Sequence, residues 1–190
     1  MVGRTIEPAM GMDINQVRIR RLAYEDLPAL EWNGEFIHFR NVYEGVYRRM
    51  QNGTAEAWVA ESGRDGIVGQ VFLQLDCDRP ELANGWNRAY LYSFRIKPEY
   101  RNLGLGTRML DVLQNYLVIR KFTRLTLNVA RDNPDARRLY ERLGFQIVAD
   151  EPGIWSYKDH NGKIQTVEEP SWRMEKKLRE FVNPDLNAKQ

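Results

Sequence analysis

A short glycine-rich turn offers the first chemistry in this sequence. Residues 100–107 read YRNLGLGT and place Gly104 and Gly106 two positions apart, shortly after Arg101. Because glycine has no side chain, an anion can approach the N–H groups of such a turn closely. The apolar residues that follow have helical spacing, and the positive N-terminal end of a helix favours a phosphate or diphosphate. The same glycines also fit a tight strand-to-helix turn that binds nothing.

The spacing of the glycines excludes two common nucleotide-binding motifs. A P-loop has four residues between its glycines, followed by Lys and Ser or Thr. Here a single residue separates Gly104 from Gly106, and Thr107 follows. A dinucleotide-binding fingerprint needs a third glycine three positions after the second, where this chain has Met109. The turn therefore predicts a diphosphate site of another kind.

A second cluster, LNVARDNPDARRLYERLGF at residues 127–145, indicates which kind. Together with YRNLGLG, it resembles the two core motifs of the GNAT superfamily of N-acetyltransferases. These are the acetyl-CoA diphosphate loop and an Asn-x-x-Ala-x-x-Leu-Tyr-Glu-x-x-Gly-Phe helix. Every position of the second motif is filled, by Asn133, Ala136, Leu139, Tyr140, Glu141, Gly144 and Phe145. The motifs lie within about residues 89–146, and the order of predicted elements extends the resemblance over most of the chain.

The resemblance implies that acetyl-CoA is the cosubstrate and lies between two splayed parallel strands, here YLYSFRI and RLTLNVA. Backbone groups of Phe94, Arg95 and Ile96 would bond the pantetheine amides in the manner of an added strand. The loop N–H groups would hold the diphosphate, and Arg101 would add charge at the rim. The loop residues are Asn102, Leu103, Gly104, Leu105, Gly106 and Thr107.

Two side chains of the second motif are implied to serve the site. Asn133 would face the cofactor, although it also fits the role of helix N-cap. Tyr140 would be the catalytic general acid, because acyl transfer to an amine expels a thiolate. A thiol has a pKa of about 8.5 and tyrosine about 10, so a nearby phenol can donate a proton to the sulfur. The alternative role for Tyr140 is that of a packed core aromatic.

The implied reaction is direct attack by a primary amine, with the oxyanion held by a backbone N–H near Ile96. An alkylamine has a pKa of about 10.4, so a base or a water chain must take a proton. Some relatives carry an acidic residue near the start of the strand before the loop, but here that stretch is NRAYLY. Asp76, Glu31 and Tyr92 are weak candidates for the base. Tyr140 favours an acetyltransferase, whereas the missing carboxylate favours an alternative function, a catalytically silent acyl-CoA-binding or regulatory module on the same fold.

The acceptor, a small-molecule or peptide amine, is not readable from the sequence. In such proteins the first helices and variable loops build its pocket, which here includes LEWNGEFIHF and DCDRPELANGW. The long hairpin predicted from Ile154 to Met174 is expected either to cover the acceptor or to join a second copy of the chain in a homodimer.

Composition restricts the other partners and the compartment. The 190 residues include 28 Lys plus Arg against 26 Asp plus Glu, and a net charge of only +2 gives no support for specific nucleic-acid binding. A lone cysteine, Cys77, cannot form an internal disulfide and fits a reducing compartment. The two histidines, His38 and His160, are far apart, so no metal site is expected. We see neither a membrane-length apolar run nor a signal peptide, which predicts a cytoplasmic protein without a membrane partner.

The periodicity of the chain predicts an α/β (α+β) fold, a mixed sheet with helices packed on it. The resemblance implies that this is a GNAT-type, mostly antiparallel central sheet of about seven strands flanked by helices, with one splayed parallel pair. The element order is a strand, two helices, three strands, a helix, a strand, a helix and further strands. Residues 16–179 would form a single domain, with flexible tails at 1–15 and 180–190.

Overall fold

The computed structural model describes residues 14–178. The predicted tails lie outside these residues, except for Ile14 and Asn15. Those two residues belong to a short 3-10 helix, Ile14–Gln16.

Nine β-strands and three α-helices follow one another in this described part of the chain. The strands are β1 (Arg18–Arg21), β2 (Ala55–Ser62), β3 (Gly66–Gln74), β4 (Arg88–Ile96), β5 (Arg124–Ala130), β6 (Gln146–Glu151), β7 (Ile154–Lys158), β8 (Ile164–Glu168) and β9 (Ser171–Lys177). The α-helices are α1 (Arg40–Gln51), α2 (Leu105–Ile119) and α3 (Pro134–Arg142). Further 3-10 helices lie at Tyr24–Glu31, Ile37–Phe39 and Pro98–Tyr100.

Seven strands form one sheet in the order β1-β2-β3-β4-β5-β9-β6. Only β4 and β5 are parallel neighbours, and every other neighbouring pair in this sheet is antiparallel. The remaining strands, β7 and β8, pair with each other as a separate hairpin. The predicted mixed, mostly antiparallel sheet of seven strands with flanking helices is confirmed.

The parallel pair separates because β4 contains a bulge. Strands β4 and β5 pair from Arg88, opposite Arg124, as far as Leu91, opposite Leu127. Beyond that point the register between β4 and β3 shifts, and Ser93 adopts a left-handed φ of 51°. A bulge bends its strand and increases the local twist. The carboxyl-terminal half of β4 therefore diverges from β5 and leaves a gap between them.

The sheet is covered on both faces, as helical spacing of the apolar residues predicts. On one face α2 buries a stripe of apolar side chains, which consists of Leu105, Met109, Leu110, Leu113 and Leu117. This core also receives Tyr140 and Phe145 from the segment around α3. On the opposite face α1 buries Tyr43, Val46 and Met50 in a second core.

The first of the two helices predicted after the first strand is a 3-10 helix, Tyr24–Glu31. Pro28 lies inside it and cannot donate a backbone hydrogen bond. The helix ends at Trp32 with a left-handed φ of 45°. The second predicted helix is α1, which begins at Arg40 directly after the short 3-10 helix Ile37–Phe39.

Candidate active site

The glycine turn stands on a rigid base at the end of β4. The Tyr100 side chain is buried, with its hydroxyl 2.5 Å from the Asp65 carboxylate and 2.9 Å from Ser62 Oγ. Arg101 is exposed and its Nε donates to the Ile96 carbonyl at 2.8 Å. That bond fixes the guanidinium group beside the turn, where positive charge assists anion binding.

The turn presents a run of free backbone donors. Asn102 and Gly104 have left-handed φ angles of 58° and 87°, and α2 starts at Leu105 without a side-chain cap. The first backbone bond into the helix is donated by the Arg108 N–H to the Gly104 carbonyl at 3.1 Å. Within the described residues, none of the N–H groups of 102–107 donates a hydrogen bond. These groups lie at the positive end of a helix of 15 residues, which suits an anion.

Glycine is needed at positions 104 and 106 for different structural reasons. A Cβ on Gly104 would meet no atom within 4 Å, so this position needs glycine for its positive φ, and the space above it is open. A Cβ on Gly106 would lie 3.4 Å from Ile96 Cδ1 and 3.7 Å from Phe94 Cζ. Gly106 therefore lets the first turn of α2 approach the diverging half of β4 closely.

The residues of β4 divide between the two faces of the sheet. Phe94 and Ile96 pack with the core under α2. The Arg95 side chain lies on the opposite face, where its guanidinium carbon is 4.1 Å from the Phe36 ring centroid. Any contact of Arg95 with a cofactor in the gap would thus involve its backbone alone.

Tyr140 reaches the same core from α3. Its side chain is only 7% exposed and packs edge-on against Phe145, with ring centroids 5.6 Å apart. Among the described residues, nothing bonds to its hydroxyl. Burial raises the pKa of Tyr140, and electrostatic interaction with Tyr90 raises it further. The phenol is therefore protonated at neutral pH and has a proton to donate.

Asn133 starts α3 as a helix cap. Its Oδ1 accepts a hydrogen bond from the Ala136 N–H at 3.1 Å, and Pro134 follows at the first helical position. The helix is followed by Gly144, with a left-handed φ of 87°. The Asn133 side chain is exposed, and its cofactor contact stays a prediction.

The structure disfavours two of the three base candidates from the sequence, Glu31 and Tyr92. Glu31 accepts a hydrogen bond from Arg40 Nε at 2.6 Å, which lowers the pKa of its carboxyl and makes it a weaker base. Tyr92 accepts a hydrogen bond from Arg49 Nη2 at 3.0 Å, and burial raises the pKa of Tyr92, so its phenol stays protonated. Asp76 lies in the loop after β3, against Gly85.

Three further polar residues on the α1 face of the sheet escaped sequence reasoning. Gln70 is fully buried, and its Oε1 has no hydrogen-bond partner. The Oδ1 of Asn128 on β5 is likewise buried without a partner. Tyr90 stacks on Tyr92 with ring centroids 5.8 Å apart. The available signal was a glutamine within the apolar strand GIVGQVFLQL and tyrosines alternating on one face of β4.

Two other properties bear on function. Within residues 14–178, no three His, Cys, Asp or Glu side chains come close enough together to hold a metal ion. None of the helices in that range combines the length and apolar character that crossing a bilayer requires.

The sequence matches the model of the acetyltransferase (GNAT) family over residues 19–145. It is also 37% identical over 91 residues to an uncharacterized N-acetyltransferase of Methanocaldococcus jannaschii, covering 47% of this chain and 51% of the relative. The chain spans about half the length of the curated relatives it matches.

Two solved structures show the same fold at low sequence identity. Ard1 from Thermoplasma volcanium is 16% identical with a TM-score of 0.66, covering 87% of this chain and 99% of Ard1. The spermidine N-acetyltransferase from Vibrio cholerae, solved in complex with CoA and spermine, is 20% identical with a TM-score of 0.63, covering 89% and 99%. With the family match over more than half of its length, the chain belongs to the acetyltransferase (GNAT) family.

Proposed function

We propose that this protein transfers the acetyl group of acetyl-CoA to a primary amine by direct attack. The observation that carries the proposal is the run of free N–H donors at residues 102–107, next to a gap between parallel strands. Family membership supports the reaction type. The proposed setting is the cytoplasm.

The turn fits the diphosphate of CoA in both charge and access. Its N–H groups converge at the start of α2, and the open space above Gly104 lets a ligand reach them. Arg101 adds a positive charge beside them. The pantetheine arm would lie along the diverging half of β4, bonded by backbone groups of Phe94, Arg95 and Ile96. Asn133 would approach the cofactor from the start of α3.

Tyr140 is the proposed general acid. When the amine attacks the thioester carbonyl, the tetrahedral intermediate collapses and the carbon–sulfur bond breaks. The sulfur leaves as a thiolate, and a protonated phenol near it can supply the proton. Burial keeps the Tyr140 phenol protonated, and its hydroxyl has no competing partner among the described residues. The backbone N–H near Ile96 would hold the oxyanion.

A catalytically silent acyl-CoA-binding module remains the second candidate. The specific observation in its favour is that β4 carries no carboxylate along its whole length. For the acetyltransferase, the proposal is that a water chain takes the amine proton in place of a carboxylate.

Calorimetry with CoA, followed by a thiol-release screen of amines with acetyl-CoA, tests the proposal. We expect CoA to bind and at least one class of amine to release thiol. Binding without turnover on any amine would support the silent module. If the folded protein does not bind CoA, both functions fail.

A further inference from the structure

The α1 face of the sheet carries a cation without a counter-charge. Arg95 follows the bulge in β4, next to the point where β4 and β5 separate. Its guanidinium lies 4.1 Å from the Phe36 ring centroid and 5.1 Å from that of Phe39. Within residues 14–178 Arg95 forms no ion pair, and its Nη1 is buried without a hydrogen-bond partner.

The hydrogen bonds of Arg95 go to neutral oxygens only. Its Nη2 donates to the Tyr43 hydroxyl and to Ser93 Oγ, both at 3.1 Å. Burial lowers the pKa of the Arg95 guanidinium. The exposed carboxylate of Glu35 opposes this shift by electrostatic attraction, without a hydrogen bond to Arg95. A guanidinium in such surroundings is stabilised by an anion that binds to its free N–H groups.

Several other arginines near this face form ion pairs. Arg79 donates to both oxygens of Glu151, at 2.8 and 3.0 Å, and Arg173 lies 3.2 Å from the same carboxylate. Arg40 pairs with Glu31. Arg49 on α1 resembles Arg95, since its Nη2 donates to the neutral Tyr92 hydroxyl and its Nε is buried without a hydrogen-bond partner. Arg95 differs in lying on β4, beyond the last residue at which β4 pairs with β5.

We propose that the amine acceptor carries a carboxylate and that Arg95 binds it. This inference rests on the proposed acetyltransferase function. Arg95 is the specificity residue, since its Nη1 has no partner and can donate a charge-assisted hydrogen bond to a carboxylate. The unpaired oxygens of Gln70 and Asn128 lie on the same face and can accept N–H groups of the acceptor. An amino acid, with its amine close to its carboxylate, has the required chemistry.

Matched acceptors test the inference on the unaltered protein. Thiol release from acetyl-CoA would be measured with the proteinogenic amino acids and with the corresponding amino-acid amides. The amide loses its ammonium proton more readily, so intrinsic reactivity favours the amide. We expect the amino acids to have a kcat/KM about tenfold or more above their amides, because a hydrogen bond to a charged group is lost with the carboxylate. Equal or reversed preference would overturn the inference.

Two variants assign the preference to Arg95. R95M keeps the long side chain between the aromatic rings but removes the charge. We expect it to lower kcat/KM for amino acids about ten- to a hundredfold while the values for amides stay within about threefold. R95K, which keeps the charge but loses the planar fork, should retain part of the preference. The exposed Arg48, replaced as R48Q, is the control for loss of charge. If R95M lowers kcat/KM equally for amino acids and for amides, Arg95 has a structural role and the inference fails. If R95M does not fold, R95K replaces it, and an equal loss for both classes again contradicts the inference.

Product binding separates this inference from the proposed function. Calorimetry in the presence of CoA would compare N-acetyl amino acids with their N-methylamides, which requires no turnover. Tighter binding of the acids that is lost in R95M supports the anion site even if no amine is acetylated. Equal binding of acids and amides contradicts it even if acetylation occurs.

Discussion

The side of β4 that faces α2 and the side that faces α1 present different groups to a ligand. Towards α2, the donors are backbone N–H groups of residues 102–107, and side chains contribute mainly by leaving space. Towards α1, the polar groups are side chains from several strands and a helix, such as Gln70, Tyr92 and Arg95. A ligand in the gap between β4 and β5 would contact both sides.

This difference indicates that the α2 side binds the cosubstrate and that the α1 side determines specificity for the acceptor. A site built from backbone groups keeps its geometry when exposed side chains change, so it suits a cosubstrate that stays the same. A site built from side chains alters its charge or shape with each substitution, so it suits the partner that varies. The predictions below test this division.

The largest effect is expected for Tyr140, which lies in the core under α2. Tyr140→Phe keeps the buried ring and its contact with Phe145 but removes the proton donor. We expect turnover to fall about 10²–10⁴-fold, the usual contribution of a proton-transfer group, with CoA affinity nearly unchanged. Steady-state kinetics and calorimetry measure the two quantities.

Tyr24→Phe is the matched control, because Tyr24 is 62% exposed and distant in sequence from both motifs. It should leave turnover unaltered. A Tyr140→Phe protein as active as the parent would make Tyr140 a core aromatic and remove it from the mechanism.

A smaller effect is expected in the backbone site. Gly104→Val places a β-branched residue at a φ of 87°, which costs about 1–2 kcal/mol or more in a left-handed conformation. The turn should change shape to relieve this strain, and CoA should bind about tenfold more weakly by calorimetry. Leu103→Ala is the control, since this exposed side chain leaves the backbone donors in place and should change affinity less than about threefold. If Leu103→Ala weakens binding as much as Gly104→Val, side chains hold the diphosphate and the division fails.

The two sides also differ in how far the sequence predicts them. Gly104, Gly106 and the apolar stripe of α2 are local signals, because φ and helical spacing depend on neighbours in the chain. The same holds for the cap at Asn133 and for Gly144 after α3.

The α1 side depends on contacts between distant segments. The bulge at Ser93 leaves no local signal, since a serine with a positive φ is held there by the strands around it. In the sequence, Arg95 is indistinguishable from the other residues of its strand. Its contact with the Phe36 ring depends on a segment that is distant in the chain. The charged and polar partners on this side are therefore visible only in three dimensions.

A third prediction concerns Asn133, for which the resemblance implies a contact with the cofactor and the sequence predicts a helix N-cap. Asn133→Ala removes the N-cap of α3 and should reduce the free energy of unfolding by about 0.5–2 kcal/mol, measured by urea denaturation. Asn133→Ser keeps a capping oxygen and should restore most of that stability. If CoA affinity falls equally in both variants, Asn133 contacts the cofactor; if it is unchanged in both, the residue serves α3 alone.

The smallest effect concerns the rim of the α1 side, where Asp26 accepts hydrogen bonds from both terminal nitrogens of Arg20 at 2.6 and 2.9 Å. The guanidinium lowers the pKa of the Asp26 carboxyl below its usual value. A carboxyl with a lowered pKa in the folded state stabilises the fold at pH values above its unfolded pKa of about 3.9, and this stabilisation is lost as pH falls through the folded pKa. Asp26→Asn should therefore unfold about 0.5–1 kcal/mol more easily at pH 7, with the partial exposure of the pair limiting the effect. The difference from the parent should shrink as the pH of denaturation is lowered from about 4 through the folded pKa, because the carboxyl of the parent then takes up a proton and loses the same charge. A difference that is equally large at both pH values would mean that the hydrogen bond to the Ala23 N–H, at 2.8 Å, or packing is responsible and that the ion pair contributes nothing to the rim.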